Sequence, residues 1–141
     1  PPNVILEDGT VLSGARLAEI LKDCDQALIM LATGGSNIME LINRLQEEGR
    51  MSEAVVIDAA ASEMTDSVLD VVMLHVSQLL RNRGRVLTKI RLSPGYGDFD
   101  IIQQKELYRL IDGKAFGITL NEACLLLPEK SVLAIAGISG R

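Results

Sequence analysis

From Met51 to Arg83 the chain contains neither glycine nor proline, and Gly49 and Gly84 stand just outside the two ends of that stretch. Val55, Val56, Ala59, Ala60, Met64, Val68, Val72 and Leu79 recur through it. An unbroken run with that spacing predicts one continuous helix, from a Ser52 cap with Glu53 in the first turn to about Asn82. Apolar residues lie almost all round its first half, which is the pattern of a central helix rather than a peripheral one. A helix of that length sets the scale of the domain, and the remaining segments must be arranged along it.

Those segments are short. Val4-Ile5-Leu6 and Val11-Leu12 flank Asp8-Gly9, a strong local hairpin signal. A helix over 15–22 is expected, capped by Ser13 and carrying Leu17, Ile20 and Leu21 on one face. A buried strand over 27–31 should follow. Next comes a helix from Ser36 or Asn37 to Glu48, with Ile38, Leu41, Ile42 and Leu45 at helical spacing. A strand over 86–90 and an amphipathic helix over 101–111 come after the long helix. Two apolar runs surround Pro128-Glu129-Lys130, and the second, over 132–138, is expected to be the hairpin partner of the first. Hairpins mixed with segregated helices predict an α+β fold: an antiparallel sheet packed with a long central helix and shorter helices. Nothing divides residues 1–141 into more than one domain. The chain begins on Pro1 and stops at Arg141 directly after a strand-like run, so flanking segments are expected.

Composition narrows the function classes. Net charge is −5 and aromatic residues are 3% with no Trp, which disfavours a nucleic-acid backbone or stacked bases as partner. No apolar run approaches the roughly 20 residues of a membrane span. No secretory signal or twin-arginine motif is present, so a cytoplasmic location is expected. Cys24 and Cys124 form no CxxC pair, and His75 is the one imidazole. A protein-built zinc site, which needs three or four such ligands, is therefore not expected. Nor is a serine triad, since no GxSxG turn accompanies the histidine.

Three features remain. Thr33-Gly34-Gly35 lies between a predicted strand and helix, where glycines can cradle a phosphate, yet it matches neither GxGxxG nor GK[ST] and reads more plainly as a tight turn. Glu63, Asp66 and Asp70 share one face of the long helix, either as a solvated stripe or as acids facing a cationic ligand. The segment Arg91-Leu92-Ser93-Pro94-Gly95-Tyr96-Gly97-Asp98 is the most informative. Pro94-Gly95 fits a type II turn, whose backbone groups can meet a heterocycle edge or a carboxylate. Arg91 offers a planar fork for a carboxylate, and Tyr96 an aromatic face with one hydroxyl.

Arg91-Leu92-Ser93-Pro94-Gly95-Tyr96 resembles the Arg-x-x-Pro-Gly-Tyr signature of the S-adenosylmethionine-binding activation domain of cobalamin-dependent methionine synthase. Phe116-Gly117-Ile118-Thr119-Leu120-Asn121-Glu122 is similar to that family's Ile-Gly-x-x-Leu-Thr-Glu-Ser segment, and Pro128-Glu129-Lys130-Ser131-Val132 to its Pro-x-x-Ser-Val segment. The three follow in order through the last fifty or so residues, and the Ala59-Ala60-Ala61 stretch also looks like the family's long helix. Ser-Pro-Gly-Tyr-Gly-Asp is closest to short, free-standing relatives. The full-length enzyme follows the tyrosine with Pro-Ala-Cys-Pro and an acid-His pair, where this chain has Gly97-Asp98-Phe99-Asp100. The family's N-terminal arm has no clear counterpart.

The resemblance implies reductive reactivation of a corrinoid protein. S-adenosylmethionine is positioned over cobalamin presented by a corrinoid-binding methionine synthase, a flavodoxin-like donor supplies an electron, and the methyl group passes to cobalt. It implies a cofactor site of Arg91, Ser93, Pro94, Gly95 and Tyr96, with Asp66 as the helix acid, and no resident metal. Methyl transfer from a sulfonium moves no proton, so no general base is required. The alternative is a non-catalytic module that senses S-adenosylmethionine or docks a corrinoid protein.

Overall fold

The computed structural model describes residues 2–140. Its sheet has three antiparallel strands in the order β3-β7-β4: β3 (Gln26–Thr33), β7 (Ser131–Gly140) and β4 (Arg85–Leu87). Around it stand the hairpin β1 (Asn3–Ile5) and β2 (Val11–Ser13), helices α1 (Ala15–Leu21), α2 (Asn37–Glu47), α3 (Met51–Arg81) and α4 (Gln104–Arg109), and a small ladder of β5 (Thr119–Leu120) with β6 (Leu126–Leu127). The fold is the α+β class that the sequence predicts, with an antiparallel sheet and a long helix.

β7 is central, and residues 133–138 of it are buried. Alternation along the strand explains why. Leu133 and Ile135 face a core built from Leu12, Leu17, Phe99, Leu107 and Ile118. Ala134, Ala136 and Ile138 face the opposite way, against Leu69 and Met73 of α3. Alanines at 134 and 136 let the long helix lie close to the strand. Its buried residues, Ala54, Ala61, Thr65, Leu69 and Met73, form one narrow stripe. α2 covers the helix's first turns, packing Ile42 and Leu45 on Ala54.

Several details depart from the sequence expectations. The last two apolar runs do not form one hairpin. The first folds on itself as β5–β6, because Asn121 closes the turn: its Oδ1 accepts from Leu125 N at 2.9 Å, and Cys124 adopts φ 61. β7 pairs instead with β3 along eight residues. The predicted strand over 86–90 ends at Leu87, where Thr88 Oγ1 takes the next ladder position by accepting from Gly137 N at 3.0 Å. The helix over 101–111 is shorter, a 3-10 turn at Ile101–Gln103 followed by α4. Ser52 does not cap α3, which starts at Met51 with Arg50 in the cap position, two residues earlier than expected. Ser13 lies in β2 and does not cap α1; the Asp98 carboxylate accepts from Ala15 N there.

Cys24 is half-buried and free, at the end of α1 beneath β7. Burial pushes its thiol up, and the Asp23 and Asp25 charges add to the effect. Less thiolate is then present at any neutral pH, so iodoacetamide should label Cys24 more slowly than a free peptide thiol. A rate at or above the peptide's would show that the thiol is not held in that state.

Candidate functional site

The loop from Arg91 to Asp100 is held at four points. Leu92 exchanges two backbone hydrogen bonds with Ile135 of β7, at 2.9 and 2.8 Å. Phe99 is fully buried in the core. Asp98 caps α1, so the Gly-Asp pair that departs from the resembling enzymes has a structural use in this chain. Arg91 reaches to α3: a guanidinium nitrogen lies 3.1 Å from Asp66 Oδ2 and donates at 3.1 Å to the Asp66 carbonyl, while another donates to Asp70. Burial works against the Arg91 charge, but the Asp70 and Asp66 carboxylates more than offset it and hold its pKa above the ordinary value.

Between these anchors, Tyr96 N donates to Ser93 O at 3.3 Å and Gly95 has φ 97, the geometry predicted for a type II turn at Pro94-Gly95. A Cβ on Gly95 would sit 3.2 Å from Ile101 Cδ1, so the glycine answers to both conformation and space. The N–H groups of the turn are not free, since Gly95 N donates to Phe99 O at 2.7 Å. The Pro94 and Gly95 carbonyls accept no hydrogen bond among the described residues. The turn therefore offers acceptors, and suits a ligand edge that donates.

Beside the turn lies a cleft of about 670 Å³, within the usual range for small-molecule sites. One wall is α3, with Ser62, Glu63, Thr65 and Asp66; another is the loop, with Ser93, Pro94 and Tyr96; the third is the β6–β7 connection, with Glu129, Lys130 and Ser131. Of the six residues singled out in the sequence, Asp66, Ser93, Pro94 and Tyr96 line the cleft, and Arg91 and Gly95 do not. Arg91 is turned to the helix behind the wall, with its side chain 16% exposed, and its fork is occupied by the acids assigned to the ligand's cation.

Sequence reasoning missed Thr65, Gln104 and Lys130. Gln104 is buried and donates from Nε2 to Cys124 O at 2.7 Å. Lys130 is the cleft's cation, 2.8 Å from Asp58 Oδ1 and donating to Ser62 Oγ at 2.8 Å. The signal was within Pro128-Glu129-Lys130-Ser131-Val132, but nothing local indicated that this turn faces α3. The glycine pair at 34–35 forms a closed turn: Gly34 N donates to Lys130 O at 2.6 Å and Gly35 N to Thr33 Oγ1 at 3.1 Å, leaving neither for a phosphate. His75 is exposed on α3, away from the cleft.

A second cleft, of about 520 Å³, opens between the β1–β2 hairpin and β3, with a lining that includes Val4, Leu21, Cys24 and Ile29. It holds none of the six residues, and the charged residues in its lining are the acids Glu7, Asp8 and Asp25, with no Lys or Arg to face them. Among the described residues no helix is long and apolar enough to cross a membrane. Comparison with protein-family models and with curated proteins finds no match to this chain.

Proposed function

We propose that this chain is an S-adenosylmethionine-binding reactivation module for a corrinoid protein of the cobalamin-dependent methionine synthase type. One observation supports this reading above the others. The three segments that resemble the activation domain, around Pro94, Asn121 and Lys130, contribute to the walls of a single cleft, and the long helix adds Asp66. Segments this far apart in sequence need not have converged.

The cleft's chemistry fits the cofactor. Glu63, Asp66 and Glu129 place negative charge around it, which suits the sulfonium and ammonium groups. Lys130 is the one cation in the cleft's lining and would meet the carboxylate by sharing its ammonium with Asp58 and Ser62, while Arg91 acts one step back by pinning the loop to α3. Pro94, which lines the cleft and whose carbonyl accepts no hydrogen bond among the described residues, suits the donating edge of an adenine. When bound, S-adenosylmethionine supplies the transferable methyl group. The residues of this chain orient it and hold its charge, and a flavodoxin-like donor and the partner's cobalamin complete the reaction. Tyr96, 71% exposed at the cleft's edge, is the contact offered to the corrinoid face. Such a contact must release to let the partner turn over, so a small interface, below about 1,200 Å², is expected.

The deciding experiment mixes the protein with a cob(II)alamin-loaded methionine synthase that lacks its own activation domain. Methylcobalamin should reappear only when S-adenosylmethionine and a one-electron reductant are both present. Binding of S-adenosylmethionine without any reactivation would leave the sensing or docking module in its place. Tight binding of free cobalamin to this chain alone would contradict presentation by a partner.

Calorimetry on Asp66→Asn tests the charge assignment. The variant should lose more affinity for S-adenosylmethionine than for S-adenosylhomocysteine, which keeps the amino-acid end but has a neutral sulfur. Equal losses would assign Asp66 to the ammonium, and no loss would return it to its ion pair with Arg91.

A further inference from the structure

Gln104 opens α4, is 6% exposed, and lines the cleft. A buried amide needs partners at both its ends. One end is satisfied, since Nε2 donates to Cys124 O at 2.7 Å. That bond fixes which way round the amide sits, because a carbonyl can only accept. The other end is open. Among the described residues Oε1 accepts no hydrogen bond, and it is not sealed from solvent, because the one fully buried side-chain nitrogen or oxygen left without a partner is Arg85 Nε. The placement ties this oxygen to the turn. Ile101, three residues earlier and on the same side of the helical segment, lies so close to Gly95 that a Cβ there would be 3.2 Å from Ile101 Cδ1. Ile101 and Pro94 line the cleft together with Gln104, and the Pro94 carbonyl is also without a donor. This side of the cleft therefore presents uncharged acceptors, while its acids, Glu63, Asp66 and Glu129, come from α3 and the β6–β7 connection. Uncharged acceptors suit a neutral amino group; an ammonium gains more beside the carboxylates.

We propose that Gln104 is the residue that selects the base: its Oε1 accepts a hydrogen bond from the exocyclic amino group of the adenine, so the cleft admits an aminopurine and turns away an oxopurine. The inference rests on the S-adenosylmethionine reading above and adds to it the residue that tells one nucleoside from another. The discrimination comes from the fixed orientation of the amide. An oxo group on the base would set one acceptor against another. Turning the amide over to offer Nε2 would break its bond to Cys124 O and set Oε1 against that carbonyl instead. The carbonyl is not free to follow. It belongs to the turn between β5 and β6, where Cys124 has φ 61 and its N–H donates to Asn121 O at 3.0 Å. A site that leaves a buried polar group unpaired against the wrong ligand discriminates more strongly than an apolar pocket does.

Calorimetry of the full chain with S-adenosylhomocysteine and its deaminated form, S-inosylhomocysteine, tests the assignment. Wild type should bind the adenosyl ligand at least about tenfold more tightly. Gln104→Met keeps the length and the apolar stem but has no strong acceptor. Its preference should fall to within about threefold, through loss of adenosyl affinity. If Gln104 served only to hold the Cys124 carbonyl, the variant would weaken both ligands alike and leave the ratio at its wild-type value, which would overturn the inference. Should Gln104→Met not fold, wild type alone decides. The NMR signal of the Gln104 side-chain carbonyl carbon should move on saturation with the adenosyl ligand and stay in place with the inosyl one; equal movement with both, or none, would overturn the assignment. Equal affinity of wild type for the two ligands would remove Gln104 as the selector and leave the S-adenosylmethionine reading standing. No binding of either ligand would remove both.

Discussion

Phe99→Ala is expected to lower the unfolding free energy by about 3–5 kcal/mol, the cost of emptying a fully buried aromatic site. The ring is packed with Leu12, Leu17, Leu107, Leu133 and Ile135 in the larger core. Its backbone also closes the turn, since Phe99 O accepts from Gly95 N at 2.7 Å and Phe99 N donates to Tyr96 O at 3.1 Å. Core and cleft are therefore joined at one residue. Urea denaturation should show the loss in the midpoint with little change in slope, and S-adenosylmethionine affinity should fall further than the folded fraction alone explains. Phe99→Leu keeps most of the apolar volume and should cost well under half as much. A loss below about 1 kcal/mol for the alanine variant would mean that the loop is not anchored through this ring.

Length, periodicity and breakers were enough for α3, because a helix's hydrogen bonds are local and Gly49 and Gly84 bound it on both sides. The Pro94-Gly95 turn was legible for a similar reason: proline fixes one φ and glycine permits the next. The pairing of β7 was not. Its partners β3 and β4 lie about 100 and 50 residues earlier in the chain, and nothing local to residues 131–140 distinguishes them from the nearer run at 118–127. Helix caps failed similarly. Ser13 is the expected cap by type, but Asp98 does the capping from the other end of the fold. In the cleft, residue types suggested a carboxylate fork and a cation-binding acid as separate ligand contacts. Tertiary structure brings Arg91 and Asp66 together, and opposite charges brought together in a half-buried place satisfy each other first.

That pairing makes Arg91 the second decisive position. Arg91→Ala should weaken S-adenosylmethionine by about 1.5–3 kcal/mol, roughly 10- to 150-fold. A similar weakening would follow if Arg91 touched the ligand directly, so affinity alone does not separate contact from positioning. Stability does. The Asp66 and Asp70 side chains are 61% and 68% exposed, so the ion pairs themselves contribute little after solvent screening. The larger element is the mostly buried Arg91 side chain, whose guanidinium donates to Met73 Sδ at 3.7 Å and to the Asp66 carbonyl at 3.1 Å. Losing these should lower stability by about 1–2 kcal/mol. Arg91→Lys keeps the charge but not the fork, and should recover part of the stability and little of the affinity. A double-mutant cycle with Asp66→Asn completes the test. If Arg91 works by pinning the loop to α3, the two substitutions are non-additive in stability as well as in affinity. Full additivity, with stability unchanged in Arg91→Ala, would place the guanidinium on the ligand itself and require it to leave both acids when the cofactor binds.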